Sequence, residues 1–338
     1  MTLKLASKQS VLVTGGAGFI GAHLVGELIN TLGMSVTVLD DLSGGFEENV
    51  HPKCRFVNGS ITDETLVRRL FAETRFDYVY HLAAYAAEGL SHFIKNFNYT
   101  NNLLGSVNLI NASVNSGTKC FVFTSSIAVY GANQVPMRED SKPEPEDPYG
   151  IAKYAVEMEL AVTKEMFGLD YIIFRPHNVY GAMQNIGDRY RNVIGIFMNN
   201  LLSGRALPIF GDGEQRRAFT YISDIIPGIA NSVFVPEARN KIFNIGSDTH
   251  YSVNDLAVAV IEAMGIPGEI KHVEPRKEVK IAYSDHSEYQ RIIGLSNETS
   301  LAEGLRAMAA WVRSAGVRKS KTFGNIEIER NLPPIWRV

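Results

Sequence analysis

The stretch VLVTGGAGFIG at residues 11–21 constrains the fold more than any other part of the chain. Four residues typical of a β-strand lead into a glycine-rich turn, and a helix-like segment follows. Gly15, Gly18 and Gly21 have the spacing GxxGxxG, which permits a tight turn, close approach of a pyrophosphate and close packing of helix on strand. The helix N-terminus would then face the phosphates of a dinucleotide. A plain tight turn is the competing interpretation.

An aspartate at the end of the second predicted strand favours the dinucleotide. Asp40 lies 19 residues after Gly21, where a carboxylate can accept hydrogen bonds from both hydroxyls of the adenosine ribose. Asp41 follows it, and no Arg or Lys occurs between Asp40 and Lys53. A 2′-phosphate would meet two negative charges there, so the sequence favours NAD over NADP. The alternative for Asp40 is a solvated acid at a strand end.

Strand-like and helix-like segments alternate through the first half of the chain. Continuous apolar strands separated by helices indicate a parallel sheet covered on both faces. With right-handed crossovers, the sequence predicts a doubly wound α/β domain, the Rossmann fold. The predicted strands are 11–14, 35–39, 55–58, 78–82, 120–124 and 171–174, and the predicted helices are 20–32, 63–72, 97–116 and 149–167.

The alternation changes after about residue 176. A glycine-, arginine- and asparagine-rich stretch leads to a predicted helix at 195–202. A strand-like segment, KIFNIG, follows at 241–246, and two further helices are predicted at 253–264 and 300–314. These segments predict a smaller, mixed α/β C-terminal lobe with a cleft between the two parts. We expect residues 1–177 plus about 219–246 to form the NAD-binding domain, and 178–218 plus about 247–338 to form the substrate lobe.

Composition and charge narrow the class of protein. A net charge of −3 gives no electrostatic footprint for nucleic acid or an anionic membrane. No run approaches the ~20 apolar residues of a membrane span, and the N-terminus lacks the apolar core of a signal peptide. Cys54 and Cys120 lie far apart without metal-ligand spacing, so we expect reduced core thiols and no metal site. These features predict a soluble cytoplasmic protein.

Two further motifs predict an acid–base centre. FTSSIAVYG, residues 123–131, follows a predicted buried strand, at the edge of the sheet where ligands bind in this architecture. PYGIAK, residues 148–153, places Tyr149 and Lys153 four apart, on one face of a helix. A nearby ammonium favours the phenolate and lowers the tyrosine pKa from its usual value near ~10. Because YxxxK often occurs by chance, the prediction depends on all three motifs together.

The motifs resemble the extended short-chain dehydrogenase/reductase family, in particular its NAD-dependent sugar-nucleotide epimerase/dehydratase branch. The similarity covers nearly the whole chain. It includes TGGAGFIG, Asp40, HLAA (81–84), NLLGSVNL (102–109), SSIAVYG, YGIAK, RPHNVYG (175–181) and IFGDGEQRRAFTYISD (209–224). The resemblance implies a tightly held NAD cofactor and a nucleotide-sugar substrate.

The resemblance also implies roles for individual residues. Tyr149 would remove the proton of the sugar 4-hydroxyl, Lys153 would bind the nicotinamide ribose and lower the tyrosine pKa, and Ser126 would hydrogen-bond the same hydroxyl. The implied cofactor-binding residues are Gly15, Gly18, Phe19, Ile20, Gly21, Asp40, Ser60, Ile61, Leu82, Ala83, Ala84, Asn102 and Lys153. The implied substrate-binding residues are Ser126, Tyr149, Asn178, Ile209, Phe210, Arg217 and Arg276. A surface basic pair is the alternative for Arg216 and Arg217.

Four positions depart from the family pattern, and the simplest is Ala182, which takes the place of a frequent proline after VYG. Ser60 stands where the family usually has an aspartate that contacts adenine, so packing by Ile61 is expected to replace that contact. Ala218 removes an acidic partner of Arg217, which affects the expected phosphate geometry. His177 stands where the family usually has an apolar residue, and we expect it to pack rather than to catalyse.

The resemblance implies a 4-epimerase of UDP-glucose and UDP-galactose, which moves a hydride from C4 to NAD and back to the opposite face. Ile127 and Ala128 stand where dehydratases and decarboxylases of this branch carry acids, which favours epimerisation. UDP-glucuronic acid is the second candidate, because Arg189 and Arg191 could meet a C6 carboxylate, although both could pair with local acids such as Asp188. A dehydrogenase that exchanges free NAD and a non-catalytic NAD-binding sensor or scaffold are the remaining alternatives.

The resemblance further implies a quaternary structure. In this family the helices that correspond to residues near 97–116 and 149–167 usually form the dimer interface. A homodimer is therefore expected.

Overall fold

A parallel sheet dominates the computed structural model, which describes residues 8–132, 135–276, 279–294, 298–319 and 323–337. The strands are β1 (Ser10–Thr14), β2 (Ser35–Asp40), β3 (Arg55–Asn58), β4 (Tyr78–His81), β5 (Cys120–Thr124), β6 (Asp170–Pro176), β7 (Val179–Tyr180), β8 (Leu207–Phe210), β9 (Arg216–Ala218), β10 (Thr220–Tyr221), β11 (Lys241–Ile245), β12 (His250–Ser252), β13 (Ile270–Val273) and β14 (Ile281–Ala282). Seven of them form one sheet in the order β11-β6-β5-β4-β1-β2-β3, and every neighbouring pair is parallel.

Eleven α-helices accompany these strands in the part of the chain that the structure describes. They are α1 (Phe19–Asn30), α2 (Glu64–Glu73), α3 (Glu88–Ser91), α4 (Lys95–Tyr99), α5 (Gly105–Ser116), α6 (Pro148–Phe167), α7 (Val193–Leu202), α8 (Ile222–Asn231), α9 (Val253–Met264), α10 (Ser287–Ile292) and α11 (Leu301–Ala315). A π-helical segment, Thr100–Leu104, joins α4 to α5. None of the described helices is both long enough and apolar enough to span a membrane.

The predicted doubly wound α/β fold is confirmed. β1–β6 lie where the sequence predicts strands, and the seven predicted helices are present, with ends displaced by at most two residues. The strand order reverses between β1 and β4, so the carboxyl ends of these strands open a crevice of the kind that binds ligands in this fold.

Side chains of β1 alternate between two cores, one on each face of the sheet. Val11 and Val13 pack with α1 and α8, whereas Leu12 packs with residues of α2, α5 and α6 on the other face. A third core joins α7, α9 and α11 beside β8. This third core forms the wall opposite the sheet. The boundaries expected for the two lobes stay a prediction.

Helix α6 owes its position to local sequence signals. The Asp147 side chain caps the helix by accepting a hydrogen bond from the Gly150 backbone N–H at 2.9 Å, and Pro148 occupies the first turn. The helix ends at Gly168, which has a left-handed φ of +77°. These caps place Tyr149 in the first turn of α6 and Lys153 one turn later, next to the end of β5.

Candidate active site

A cleft of about 1130 Å³ extends from the glycine turn along the carboxyl ends of the strands to β8 and α7. It brings together all of the cofactor- and substrate-binding residues predicted from sequence except Asn102. Its described lining also includes Glu88, Thr124, Tyr190, Ile335 and Trp336, which sequence reasoning missed.

The glycine turn, which we call the glycine cradle, is packed too closely against backbone to admit side chains at Gly15 and Gly21. Gly15 has a φ of +73°, and a Cβ there would lie 2.7 Å from the Ala83 backbone N. A Cβ on Gly21 would lie 2.1 Å from the Gly15 carbonyl oxygen. Helix α1 begins after Gly18 without a side-chain cap, so its first N–H groups can face an anion in the cleft. The cradle fits a pyrophosphate.

Asp40 is held rigidly at the end of β2. Its carboxylate accepts hydrogen bonds from the backbone N–H of Ala17 at 3.0 Å and of Leu42 at 2.8 Å, and the residue is only 8% exposed. Burial raises the pKa of Asp40, and these backbone hydrogen bonds oppose the rise. Ile61 is buried against Gly105 at the same end of the cleft, where an adenine could pack. Together with the glycine cradle, this end of the cleft fits a dinucleotide.

Ser126, Tyr149 and Lys153 meet at the middle of the cleft. The Lys153 ammonium donates a hydrogen bond to the Thr124 carbonyl oxygen at 2.7 Å and lies 5.8 Å from the centre of the Tyr149 ring. The Ser126 hydroxyl accepts a hydrogen bond from the Ala128 backbone N–H at 3.1 Å and also interacts with the Tyr149 hydroxyl. A hydroxyl, a phenol and an amine are therefore available at one place for proton transfer.

The lowering of the Tyr149 pKa by Lys153 stays a prediction. Burial raises the pKa of Tyr149, and the hydrogen bond with the Ser126 hydroxyl and the positive charge of Arg191 oppose that rise. Burial also lowers the pKa of Lys153 to about 7, and the negative charge of Glu157 opposes that shift. The physical reason is desolvation, which disfavours the charged form of each group.

A buried ion pair supports this centre, and sequence reasoning missed it. The Arg175 guanidinium donates to both carboxylate oxygens of Glu157, at 2.9 and 2.5 Å, and the Ser125 hydroxyl donates to the same carboxylate at 2.5 Å. Glu157 is 4% exposed and Arg175 is 1% exposed. The available signal was the position of Glu157, one turn after Lys153 on a helix.

The predicted diphosphate ligands lie on the opposite wall. The Asn178 amide donates to the Ala218 carbonyl oxygen at 2.9 Å, and the Arg217 guanidinium donates to the carbonyl oxygen of Val279 at 2.5 Å. The Arg276 guanidinium lies 4.4 Å from the centre of the Phe210 ring. Stacking of this kind restricts the rotamers of an arginine side chain, so Arg276 is held at this wall of the cleft.

Three further residues named in the sequence analysis make contacts within the protein. Asn102 does not line the cleft, because its buried amide binds the backbone N and O of Tyr85 at 2.8 and 3.1 Å and so holds the loop after β4. Arg191 lines the cleft, but its guanidinium donates to the Asp188 carboxylate at 2.8 Å and stacks on Tyr85. Pairing with a local acid is thus the observed state of Arg191.

His177 packs against His286, with 3.0 Å between their Nε2 atoms.

The cysteines and the acids of the described ranges do not form a metal centre. Cys120 is buried in β5 and Cys54 is half-buried, and both thiols are free. Within these ranges, no cluster of three or more His, Cys, Asp or Glu side chains could hold a metal ion.

Comparison with known proteins identifies relatives along most of the chain. The model of the NAD dependent epimerase/dehydratase family matches residues 11–246. A UDP-glucose 4-epimerase of Mycolicibacterium smegmatis is 33% identical over 311 residues, which cover 90% of this chain and 98% of that protein.

Solved structures agree with this match. The UDP-glucose 4-epimerase of Thermotoga maritima, solved with UDP-glucose, is 36% identical with a TM-score of 0.86, and the match covers 91% of this chain and 99% of that chain. The Thermus thermophilus UDP-glucose 4-epimerase, solved as a complex with NAD, is 31% identical with a TM-score of 0.85 over 91% and 100% of the two chains.

Other reactions are also represented among the relatives. A dTDP-glucose 4,6-dehydratase of Actinoplanes is 30% identical over 90% of this chain and 98% of that protein. A UDP-N-acetylglucosamine 4-epimerase of Methanobrevibacter ruminantium is 31% identical, with a TM-score of 0.85 over 91% and 99% of the chains. The similarity therefore defines a family and leaves the exact sugar open.

The geometry of Asp40 predicts a cofactor-retention defect. Asp40→Ala should lower the NAD content of the purified protein, because two ribose hydroxyls lose a charged acceptor, and hydrogen bonds to charged groups are worth about 1.5–3 kcal/mol each. The measurement is NAD released per polypeptide after heat or acid treatment. Asp41→Asn is the matched control, since the exposed Asp41 carboxylate accepts a hydrogen bond from Ser43 in the following loop. Full NAD occupancy in Asp40→Ala, or a preference of the native protein for NADP, would contradict the assignment.

Proposed function

The chain belongs to the NAD-dependent epimerase/dehydratase family, and from this premise we propose that it is a nucleotide-sugar 4-epimerase that interconverts UDP-glucose and UDP-galactose. NAD is the cofactor of the family, and the glycine cradle and Asp40 of this chain fit it. The observation that carries the proposal is the meeting of Ser126, Tyr149 and Lys153 in the cleft that the cradle also lines.

The proposed proton transfer uses side chains held by α6 and by the end of β5. The phenolate oxygen of Tyr149 takes the proton of the sugar 4-hydroxyl and becomes the phenol, and the Ser126 hydroxyl orients that same sugar hydroxyl by a hydrogen bond. When bound, NAD supplies the hydride acceptor and donor for C4 and a positive charge that favours the phenolate. Lys153, with a pKa of about 7, can hold a proton at Nζ next to the phenol at neutral pH.

The opposite wall supplies the positioning that inversion at C4 requires. Asn178, Arg217 and Arg276 would hold the diphosphate while the oxidised sugar turns about its linkage and presents its other face. The phosphate contacts need not change during this rotation, because they are remote from C4. The anchored diphosphate keeps the ketone within reach until the hydride returns.

Apolar residues beside the reactive centre favour epimerisation over elimination. Ile127 and Ala128 follow Ser126 and line a small recess next to the cleft, which Glu88, Glu146 and Asp147 also line. Neither side chain can donate or accept a proton, so neither can assist loss of water or carbon dioxide from a 4-keto sugar. This observation ranks the epimerase above the dehydratases that are also among the relatives.

The charges near the sugar end support a neutral hexose over a uronic acid. UDP-glucuronic acid remains the second candidate because Arg191 lines the cleft. However, Asp188 already pairs with that guanidinium at 2.8 Å. The carboxylate of Glu88, which lines the cleft close enough to raise the pKa of Tyr149, would repel a C6 carboxylate. A non-catalytic scaffold is disfavoured, since Tyr149, Lys153 and Ser126 all line one cleft.

The outer faces of the helices next to the reactive centre support a homodimer. Of the large apolar side chains that are exposed in the described chain, five lie on α6, namely Ile151, Met158, Val162, Met166 and Phe167, and Leu104 lies on the neighbouring π-helical segment. Two copies of this surface would bury one another. Sedimentation of the purified protein tests this interface.

We also propose a cytoplasmic location.

The proposed reaction predicts products of unchanged mass. Purified protein incubated with UDP-glucose, UDP-galactose, UDP-N-acetylglucosamine and UDP-glucuronate, without added NAD, should give C4 epimers, most rapidly from the first two. NMR identifies the epimers, and mass spectrometry distinguishes epimerisation, which conserves mass, from reactions that lose water or carbon dioxide. A dominant product lighter by either amount, or a requirement for free NAD in every turnover, would overturn the epimerase assignment.

The assigned base predicts a specific loss of turnover. Tyr149→Phe should keep the fold and the NAD content but lower kcat by ~10²–10⁴-fold, because the variant lacks the proton acceptor. Tyr154→Phe is the matched control: it lies on the same helix and packs in a separate apolar cluster with Met137. Near-normal epimerisation by Tyr149→Phe would show that another group is the base.

A further inference from the structure

The C-terminal segment 323–337 packs across the sugar end of the cleft. The Glu327 carboxylate accepts hydrogen bonds from the backbone N–H groups of Asn96 and Phe97, both at 2.8 Å, at the start of α4. Phe323 packs against Tyr85 and Phe97, which lie after β4 and on α4. These contacts hold the segment against α4 and the loop after β4, although Glu327 and Asn96 are 231 residues apart in sequence.

Trp336 is the innermost residue of this segment and lines the cleft. Its side chain is 3% exposed and makes edge-to-face contacts with Phe93 and Tyr190, at centroid distances of 6.2 and 5.6 Å. A Cβ on Gly89 would lie 3.1 Å from the indole ring, so the absence of a side chain at Gly89 leaves room for the ring. The indole ring is therefore held on several sides, next to α3.

Arg276 lies between two aromatic groups at this point. Its guanidinium is 4.4 Å from the centre of the Phe210 ring and 6.0 Å from the centre of the Trp336 ring. A Cβ on Gly89 would lie 3.8 Å from Arg276 Nη1, so the guanidinium also borders α3. A long side chain normally loses rotamer freedom when it binds an anion, and aromatic contacts that restrict it beforehand reduce that loss. A cation beside an aromatic face is also attracted without losing its charge.

We propose that Trp336 is a positioning residue for the nucleotide diphosphate, because it restricts Arg276 to a position from which the guanidinium can bind phosphate. The inference rests on the proposed function in taking a UDP-sugar as the ligand. Phe210 on β8 and Trp336 in the C-terminal segment both contact this guanidinium and restrict its movement. The C-terminal segment is thereby part of the substrate site.

A double-mutant cycle tests this role with UDP as the probe. Trp336→Ala should raise the Kd for UDP, measured by calorimetry on the full-length protein with its bound NAD, by about tenfold, the effect of one weakened charge-assisted hydrogen bond. The KM for the UDP-sugar should rise by a similar factor while kcat changes less. Trp336→Phe should restore most of the affinity, because a smaller ring still borders the guanidinium. In an Arg276→Ala background, Trp336→Ala should weaken UDP binding no further.

Structural controls separate positioning from loss of fold. NAD content and thermal unfolding should be close to wild type in Trp336→Phe, and Arg337→Ala, an exposed neighbour, should bind UDP normally. Unchanged UDP affinity in Trp336→Ala, or additive losses in the double variant, would overturn the inference and leave the proposed function standing. Failure of the wild-type protein to bind UDP would overturn the proposed function together with the inference.

Discussion

The buried carboxylate of Glu157 is the contact on which the reactive end of the cleft depends. It joins α6 to the ends of β5 and β6, through Ser125 and Arg175, and it lies one turn beyond Lys153. Removal of one partner from a buried pair typically costs about 3–5 kcal/mol, because the other charge stays buried without compensation. The pair therefore fixes the helix that carries Tyr149 against the strand end that carries the serines.

Burial also shapes the charge of the reactive centre. It raises the pKa of Tyr149 and lowers the pKa of Lys153 to about 7, because desolvation disfavours the charged form of each group. The glycine cradle, Asp40 and this centre line one continuous cleft. A cofactor bound along the cleft would therefore reach from the cradle to the phenol and the amine.

The sequence was most informative where local patterns decide the structure. The apolar parallel strands, the glycine turn and the capped helix α6 are local signals, and the residues that they carry lie in the cleft as predicted. The sequence does not predict helix α8, because Pro227 and Gly228 normally disfavour a helix. The helix forms because its isoleucines pack in the core that also contains Val11 and Val13. Glycine is needed at position 228, since a Cβ there would collide with the Tyr289 hydroxyl. The C-terminal segment could not be predicted, because its contacts join residues that are far apart in sequence. Asn102 stays a prediction as a cofactor residue, and its buried amide binds the backbone of Tyr85, a contact that the sequence does not reveal.

The central claim is that C4 is oxidised and then reduced again by the same enclosed cofactor. The direct measurement is the fate of deuterium when UDP-glucose labelled with deuterium at C4 is converted in ordinary water. A hydride that is transferred to bound NAD and returned within one site does not exchange with solvent. The account predicts that the UDP-galactose product retains deuterium at C4, as read by NMR and mass spectrometry. Replacement of that deuterium by solvent hydrogen during inversion would contradict it.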